Sequence, residues 1–418
     1  MKNTLIVLNY QREIPPFMQT ILHYANQIFK RIIYITPEMY NDNRNGCDAD
    51  KLEVVQLPRS MWRKALLKSP ITLANKETVQ ILSLGRKEKK LNSGFFKNML
   101  TYAVCSEMLK EGFFKAAGEA NINLDDSVIL CTWFDVCAYA ASLIKKKAPQ
   151  IPVVSFAHSF EITEEVKNPY ALYSYNPSKH GTCEEIWFIS ETVRQDYLQR
   201  VKKVYHNKIQ INNTRIAYLG SKKPQKNKMN TPSNDNIVRL VSCSNVTWVK
   251  RVSKLIDVLS LVTDVSVQWT HLGGGPLLER VKGQAENALK SNINIDFYFP
   301  GMKTNKEVHE FFSSQCVDLF INVSESEGLP VSIMESMSYG IPVIATDVGG
   351  TREIVNETTG FLLPKDFQPK EVAKIITNFS SLSKEEKQKY REAAYDMWES
   401  KFDGEKNSLK MLGELHSM

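Results

Sequence analysis

Short apolar runs alternate with amphipathic segments along the first half of the chain. TLIVLN (4–9), RIIYITP (31–37), KLEVVQLP (51–58), SVILCTW (127–133), PVVSFAH (152–158), EIWFIS (185–190) and RIAYLG (215–220) read as strands. Between them, PFMQTILHYANQIF (16–29), DVCAYAASLIKKK (135–147) and residues 191–203 have helical periodicity. Continuously apolar strands separated by helices predict an α/β architecture, a parallel sheet covered on both faces. Residues 221–236 hold no large apolar residue except Met229 and read as a linker. The pattern then restarts with IVRLVSCS (237–244), SVQWTHLG (266–273), IDFYFPG (295–301), VDLFINV (317–323) and PVIATD (342–347). Two α/β domains are expected, residues 1–221 and 237–383, joined by 222–236 and facing each other across a cleft. KEEKQKYREAAYDMWESKF (384–402) reads as a long helix with Tyr390, Ala394, Met397 and Phe402 on its apolar stripe. The segment 384–418 is expected to cross back to the first domain.

A length of 418 residues is too great for one ordinary core, and 43% hydrophobic with 24% charged residues is ordinary globular composition. The net charge of +7 suits anionic substrates or an anionic membrane surface and is specific to neither. Seven cysteines lie far apart without a CxxC pair, which argues against a disulfide framework or zinc ribbon and fits a reducing cytoplasm. The N-terminal apolar run, Leu5 to Leu8, is too short for a signal peptide and reads as a first strand. No apolar run approaches the ~18 residues that a membrane-spanning helix needs.

The candidate chemistry centres on EGLPVSIMESMSYGIPVIATDVGG (327–350). Spacing alone proves nothing, since Glu111 and Glu119 stand as far apart as Glu327 and Glu335. The setting differs. A buried strand ends near Val323, a loop follows, and Pro330 suits the first position of a helix. That helix would present the N–H groups of Val331, Ser332 and Ile333 to an anion, beyond the carboxyl ends of the strands. Read from the residues alone, the two glutamates are as readily solvated loop and helix charges.

The stretch resembles the signature of glycosyltransferase family 4, of the bacterial polysaccharide-synthesis type: E-x7-E followed by G-x-PVIAT and GG. The resemblance covers most of residues 150–400. It implies the GT-B fold, two Rossmann-like domains with parallel sheets, and a nucleoside diphosphate sugar as co-substrate rather than a bound cofactor. It places Glu327 at the transferred sugar and Glu335 at the ribose hydroxyls. The amides of Gly328, Leu329 and Val331 would touch the sugar or its phosphates. It also implies retention of anomeric configuration, with a hydroxyl of a glycan or lipid-linked glycan as acceptor.

Other stretches fit the same resemblance. In SCSNVTWVKRVSKLIDVL (242–259), Lys250 and Arg251 stand where the family uses a basic pair on the diphosphate. Asn245 occupies the position where an Arg is typical, so Arg251 is expected to take over its role. HLGGGPLLERV (271–281), with Gly275, resembles the strand–glycine–helix unit bordering the nucleotide, and PGMK (300–303), with Met302, the loop passing the base. Either is equally a plain turn. His158 fits the family's histidine beside the donor sugar, with Glu161 as acidic companion, although a lone histidine at a strand end is more often structural. The loop NYQREIPPFMQT lacks the Gly-Gly turn of many relatives, which implies an altered acceptor or entry.

No residue cluster resembles a metal site, and Lys250, Arg251 and helix dipoles are expected to neutralise the leaving diphosphate. RKALLKSP (63–70) and GRKEKKLNSGFFKN (85–98) read as solvated faces or as contacts with an anionic membrane at the inner face of the plasma membrane. No motif accompanies them that would recognise nucleic acid. Two rival readings are a non-catalytic sugar- or nucleotide-binding relative and a nicotinamide-dependent oxidoreductase. Leu278 in place of the third glycine of G-x-G-x-x-G counts against the second.

Overall fold

A computed structural model describes residues 1–38, 50–159, 169–206, 208–209, 211, 213–224 and 229–418. The chain divides into two compact units, Met1–Leu219 with Glu405–Met418, and Gly220–Gly404.

The first unit holds a seven-stranded sheet in the order β3-β2-β1-β4-β5-β6-β7. Its strands are β1 (Thr4–Leu8), β2 (Arg31–Pro37), β3 (Leu52–Leu57), β4 (Ser127–Cys131), β5 (Val153–Ala157), β6 (Glu185–Phe188) and β7 (Thr214–Ile216). Every pairing is parallel; Ile6 sits opposite Ile33 on one side and Ile129 on the other. β1, β4 and β5 are buried at every position, which explains their unbroken apolar runs. Helix α1 (Pro16–Ile28) covers the sheet with Met18, Ile21, Leu22 and Ala25, the spacing of a core-facing helix.

Between β3 and β4 the chain inserts three helices that the apolar pattern did not reveal: α2 (Arg59–Leu73), α3 (Lys76–Lys87) and α4 (Ser93–Glu119). α4 packs against both α2 and α5 (Val136–Lys145). Its middle, Tyr102 to Leu109, is therefore buried all round and loses its one-sided periodicity. A Cβ on Gly112 would stand 2.3 Å from a Leu57 methyl, so α4 lies tight on the end of β3. The last helix, Gly404–Ser417, closes the unit at the N-terminus, where the Lys2 N–H donates to the His416 carbonyl at 2.6 Å.

The second unit is a six-stranded sheet in the order β10-β9-β8-β11-β12-β13. Its strands are β8 (Ile237–Cys243), β9 (Ser266–Leu272), β10 (Ile295–Gly301), β11 (Leu319–Asn322), β12 (Val343–Thr346) and β13 (Gly360–Leu363), again all parallel. β13 was not anticipated, because four residues with a half-exposed middle give no alternation to detect.

Two expected boundaries move. Part of the expected linker is fastened to this unit. The Asn230 amide donates to the carbonyls of Phe312 and Gln315, and Ser233 bonds Asp318 through its N–H and its hydroxyl. Residues 225–228 of that linker lie outside the described residues. The helix at Lys384 runs to Met397 and continues as a π turn, Trp398–Phe402. It stays in the second unit, so only Glu405 onward belongs to the first. The reason is burial: Arg391, 2% exposed, bonds the carbonyls of Val317 and Asn230, and the Trp398 indole donates to the Ser221 hydroxyl. Among the described residues, no helix is long and apolar enough to cross a membrane.

Candidate active site

The candidate residues of the second unit gather in the loops beyond the carboxyl ends of β8, β9, β10 and β11 and on the helix that follows β11. The chain order reverses between β8 and β11, the switch point at which open parallel sheets take ligands.

Lys250 ends a short turn, Trp248–Lys250, after β8. Its ammonium donates to Glu327 Oε1 at 2.7 Å, and the Asn322 amide donates to the same oxygen at 3.1 Å. The Glu327 side chain is 10% exposed and that of Lys250 28%. This ion pair is partly open, so a ligand can reach both partners without unfolding anything. The loop carrying Glu327 is held on both sides. The Glu325 N–H donates to Val249 O, and the Gly350 N–H to Gly328 O, each at 2.7 Å. Gly349 lies at φ +54°, and a Cβ there would stand 1.8 Å from the Glu327 carbonyl oxygen. Gly349, the first of the two glycines after β12, is thus a steric requirement for the position of Glu327.

Glu335 lies in the second turn of the helix Val331–Met337 and is 7% exposed. Burial pushes its carboxyl up to about 7, opposed by a hydrogen bond from Asn305. The Cys243 thiol, at the end of β8, is pushed up to about 12, first by its burial and then by the nearby Glu335 carboxylate. Lys250 acts on the same thiol in the opposite direction, so Cys243 lies near both Glu335 and Lys250.

Pro330 caps this helix rather than opening it, and its carbonyl accepts the Ile333 N–H at 3.2 Å. Of the three expected amides, those of Val331 and Ser332 remain at the helix start. Val331 is half exposed and Leu329 buried.

Arg251 is placed differently from Lys250. Its guanidinium donates to the carbonyls of Val323 (2.7 Å), Lys365 (3.0 Å) and Ser324 (3.1 Å) and lies over the Phe367 ring. It ties the end of β11 to the loop after β13, and the structure does not bring it to the Lys250–Glu327 pair. Its own backbone sits at φ +49°, a conformation costly for a non-glycine residue.

Gly275 (φ +139°) approaches Asn245 so closely that a Cβ would stand 2.3 Å from its amide oxygen. A Cβ on neighbouring Gly274 would come within 3.2 Å of Met302, which is exposed. These glycines nest the loops after β8 and β9 beside the loop after β10. His271, buried behind them, bonds the Ser242 hydroxyl at 2.8 Å through Nδ1, and its Nε2 lies 3.2 Å from the Ser244 carbonyl. The Trp269 indole donates to the same Ser242 hydroxyl, so Ser242 gives its proton to Nδ1 and the ring carries its proton on Nε2.

In the first unit, His158 follows β5 and is packed by the rings of Trp133 (4.4 Å) and Phe17 (4.6 Å). Burial lowers its pKa to about 3, which keeps it neutral at ordinary pH. Glu161 lies outside the described residues.

Sequence reasoning missed Asn322 and Asn305, the amides that hold the two glutamates. Asn322 had a signal: it is the one polar residue near the end of an apolar strand. Asn305 had only the helix start marked by Thr304 and Glu307, whose capping box is present.

Residues 221–397 match the family model of glycosyl transferases group 1. The O-antigen biosynthesis glycosyltransferase WbnH of Escherichia coli is 32% identical over 178 residues, 43% of this chain and 46% of that protein. The putative colanic acid biosynthesis glycosyltransferase WcaL of Escherichia coli K12 is 27% identical over 156 residues, 36% of this chain and 37% of its own. The chain thus matches less than half the length of these relatives. Among solved structures, Anabaena HepE in complex with UDP superposes over 100% of both chains with a TM-score of 0.71 at 15% identity. Sucrose-phosphate synthase from Thermosynechococcus elongatus superposes with a TM-score of 0.67 at 13% identity, over 100% of this chain and 98% of its own. The fold, two Rossmann-like units with parallel sheets, is GT-B. Over residues 221–397 the chain is similar to the glycosyl transferases group 1 family.

Proposed function

We propose that the protein is a retaining glycosyltransferase that moves a sugar from a nucleoside diphosphate sugar to a hydroxyl of a glycan or lipid-linked glycan. The observation that carries this reading is the Lys250–Glu327 pair at the switch point, with buried Glu335 one helix turn beyond. The names of the relatives, O-antigen and colanic acid glycosyltransferases, support a role in cell-surface polysaccharide synthesis. The enzyme would work in the cytoplasm, at the inner face of the plasma membrane.

In this reading Lys250 leaves Glu327 in part and takes the diphosphate, joined by the amides of Val331 and Ser332, so that no metal ion is required. Glu335 accepts hydrogen bonds from the ribose hydroxyls. The freed Glu327 carboxylate holds the sugar and supports the positive charge that develops at its ring. The bond from the anomeric carbon to the diphosphate oxygen breaks, and the acceptor oxygen bonds to the same face. The acceptor proton passes to the departing phosphate oxygen. Gly275 and Met302 border the base, and Gly328 and Leu329 line the sugar. Arg251 acts as a positioning residue, holding the end of β11 from which the Glu327 loop springs. His158, neutral in the fold, would act as a hydrogen-bonding group and not as an acid.

The test is a thermal-shift panel of UDP-, GDP- and ADP-sugars, followed by donor hydrolysis. A cognate donor at about 100 times its dissociation constant adds about 2.7 kcal/mol of stability. Glu327→Ala should fold normally and lose turnover. If the wild-type chain bound a nucleotide sugar yet neither hydrolysed nor transferred it, it would be a non-catalytic relative. If it bound none of the panel, the proposal would be wrong.

A further inference from the structure

The positive charge of the chain is concentrated in one segment. Residues 59–100 hold ten Lys and Arg against two Glu, an excess larger than the +7 of the whole chain. They form α2, α3 and the start of α4. One of the two acids, Glu77, is turned inward, where its carboxylate accepts from the Ser178 N–H at 3.1 Å.

The same segment carries eight of the seventeen exposed large apolar side chains among the described residues. They are densest on α2, which buries only Ala65, Ser69 and Thr72. Trp62 and Leu66 are one helical turn apart on the outward face, as are Leu67 (80% exposed) and Ile71 (78%). Arg59 and Arg63 fall between these two rows, and Lys64 and Lys68 flank them. An outward stripe of this kind exposes apolar area at a cost that only a partner recovers.

The charge selects the partner. A second copy of this chain would set one strongly basic face against another. A nucleic acid would use the cations and leave Leu67 and Ile71 in water. An anionic bilayer takes both, apolar side chains below the headgroups and cations among them. We propose that the α2–α4 module docks on an anionic phospholipid bilayer. The α2 stripe lies in the interfacial plane, Leu67 and Ile71 enter the acyl boundary, and Arg59, Arg63 and Lys64 meet the phosphates. This deepens the peripheral location given above, and it does not depend on the transfer chemistry.

The test is co-sedimentation of the full chain with vesicles of phosphatidylcholine alone or mixed with phosphatidylglycerol. Binding should require phosphatidylglycerol and weaken as salt is raised. Leu67→Ser with Ile71→Ser should lower the partition coefficient about tenfold, by removing buried apolar area. Arg63→Gln with Lys64→Gln should lower it roughly 25-fold, about fivefold per charge. Both pairs are outward-facing, so melting temperature and any donor-induced shift should be unchanged. Equal binding to both vesicle types, no binding, or binding indifferent to both pairs overturns the proposal. So does a dimer in light scattering that Leu67→Ser with Ile71→Ser splits. Any of these results leaves donor binding, measured without vesicles, as it was.

Discussion

The two sheets end differently at their carboxyl edges. In the six-stranded sheet the edge carries polar pairs, Lys250–Glu327 and Asn305–Glu335, on loops closed by glycines at positive φ. In the seven-stranded sheet the described part of that edge gathers rings around one histidine. His158 packs among Phe17, Trp133 and Phe156, while the Asn9 amide and the Thr36 and Thr132 hydroxyls bond one another. No glycine occurs between β1 and α1. The first edge keeps ionised groups near solvent, where they can change partners. Around His158 the second packs rings instead and holds its histidine neutral. The same topology thus supports a reactive edge and a rigid one, and loop residues decide which.

Breaking the reactive edge should cost most. Glu327→Gln and Lys250→Ala should each lower kcat by about 10²–10³, or roughly 3–4 kcal/mol of transition-state stabilisation. Because the two side chains share one hydrogen bond, the double variant should fall well short of the product of the single losses. Steady-state kinetics with the cognate donor checks both.

Glu335 should separate function from stability. Its carboxyl titrates near 7 in the fold, above its ordinary 4.5. Between those values the unfolded chain loses the proton and the folded chain keeps it, so stability falls as pH rises from 4.5 through 7. Above 7 the full penalty remains. Glu335→Gln keeps an acceptor for Asn305 and removes that penalty. It should raise unfolding stability at pH 8 by about 3 kcal/mol while weakening donor binding. Denaturant titration at pH 5 and pH 8 reads the first effect and calorimetry the second. In the wild type, donor affinity should rise with pH through 7, as the carboxylate form becomes populated.

The rigid edge should respond less. His158, lowered to about 3, remains neutral in the fold while the unfolded chain takes up a proton below about 6.5. Its share of stability is present above 6.5 and is lost as pH falls toward 3. At pH 5.5 the loss is about 1.4 kcal/mol, which His158→Phe should abolish. The rate profile between pH 5 and 8 should carry no limb that this substitution removes. Such a limb would make His158 a proton carrier and remove the contrast between the two edges.

Much of the fold was legible because both sheets are buried on two faces. Among the described residues, β1, β4 and β5 are runs such as TLIVL and VVSFA, buried at every position, that need no alternation to be noticed. α2 to α4 escaped because their core faces are narrow or, in α4, surround the helix. The apparent linker escaped because its hold on the second unit is polar, through Asn230 and Ser233. At the site, the pattern 327–350 pointed to both glutamates and to the helix start between them. It could not show that Arg251 spends its guanidinium on three carbonyls, since adjacent basic residues look alike in one dimension. Nor could it show the amide of Asn305, whose partner Glu335 lies thirty residues away on another helix.

A crystal structure with a bound nucleoside diphosphate tests the role of the Lys250–Glu327 pair most directly. Lys250 Nζ should lie about 2.8 Å from a phosphate oxygen, with the ribose hydroxyls on the Glu335 carboxylate. A diphosphate bound elsewhere in the molecule, with Lys250 still closed on Glu327, would contradict it.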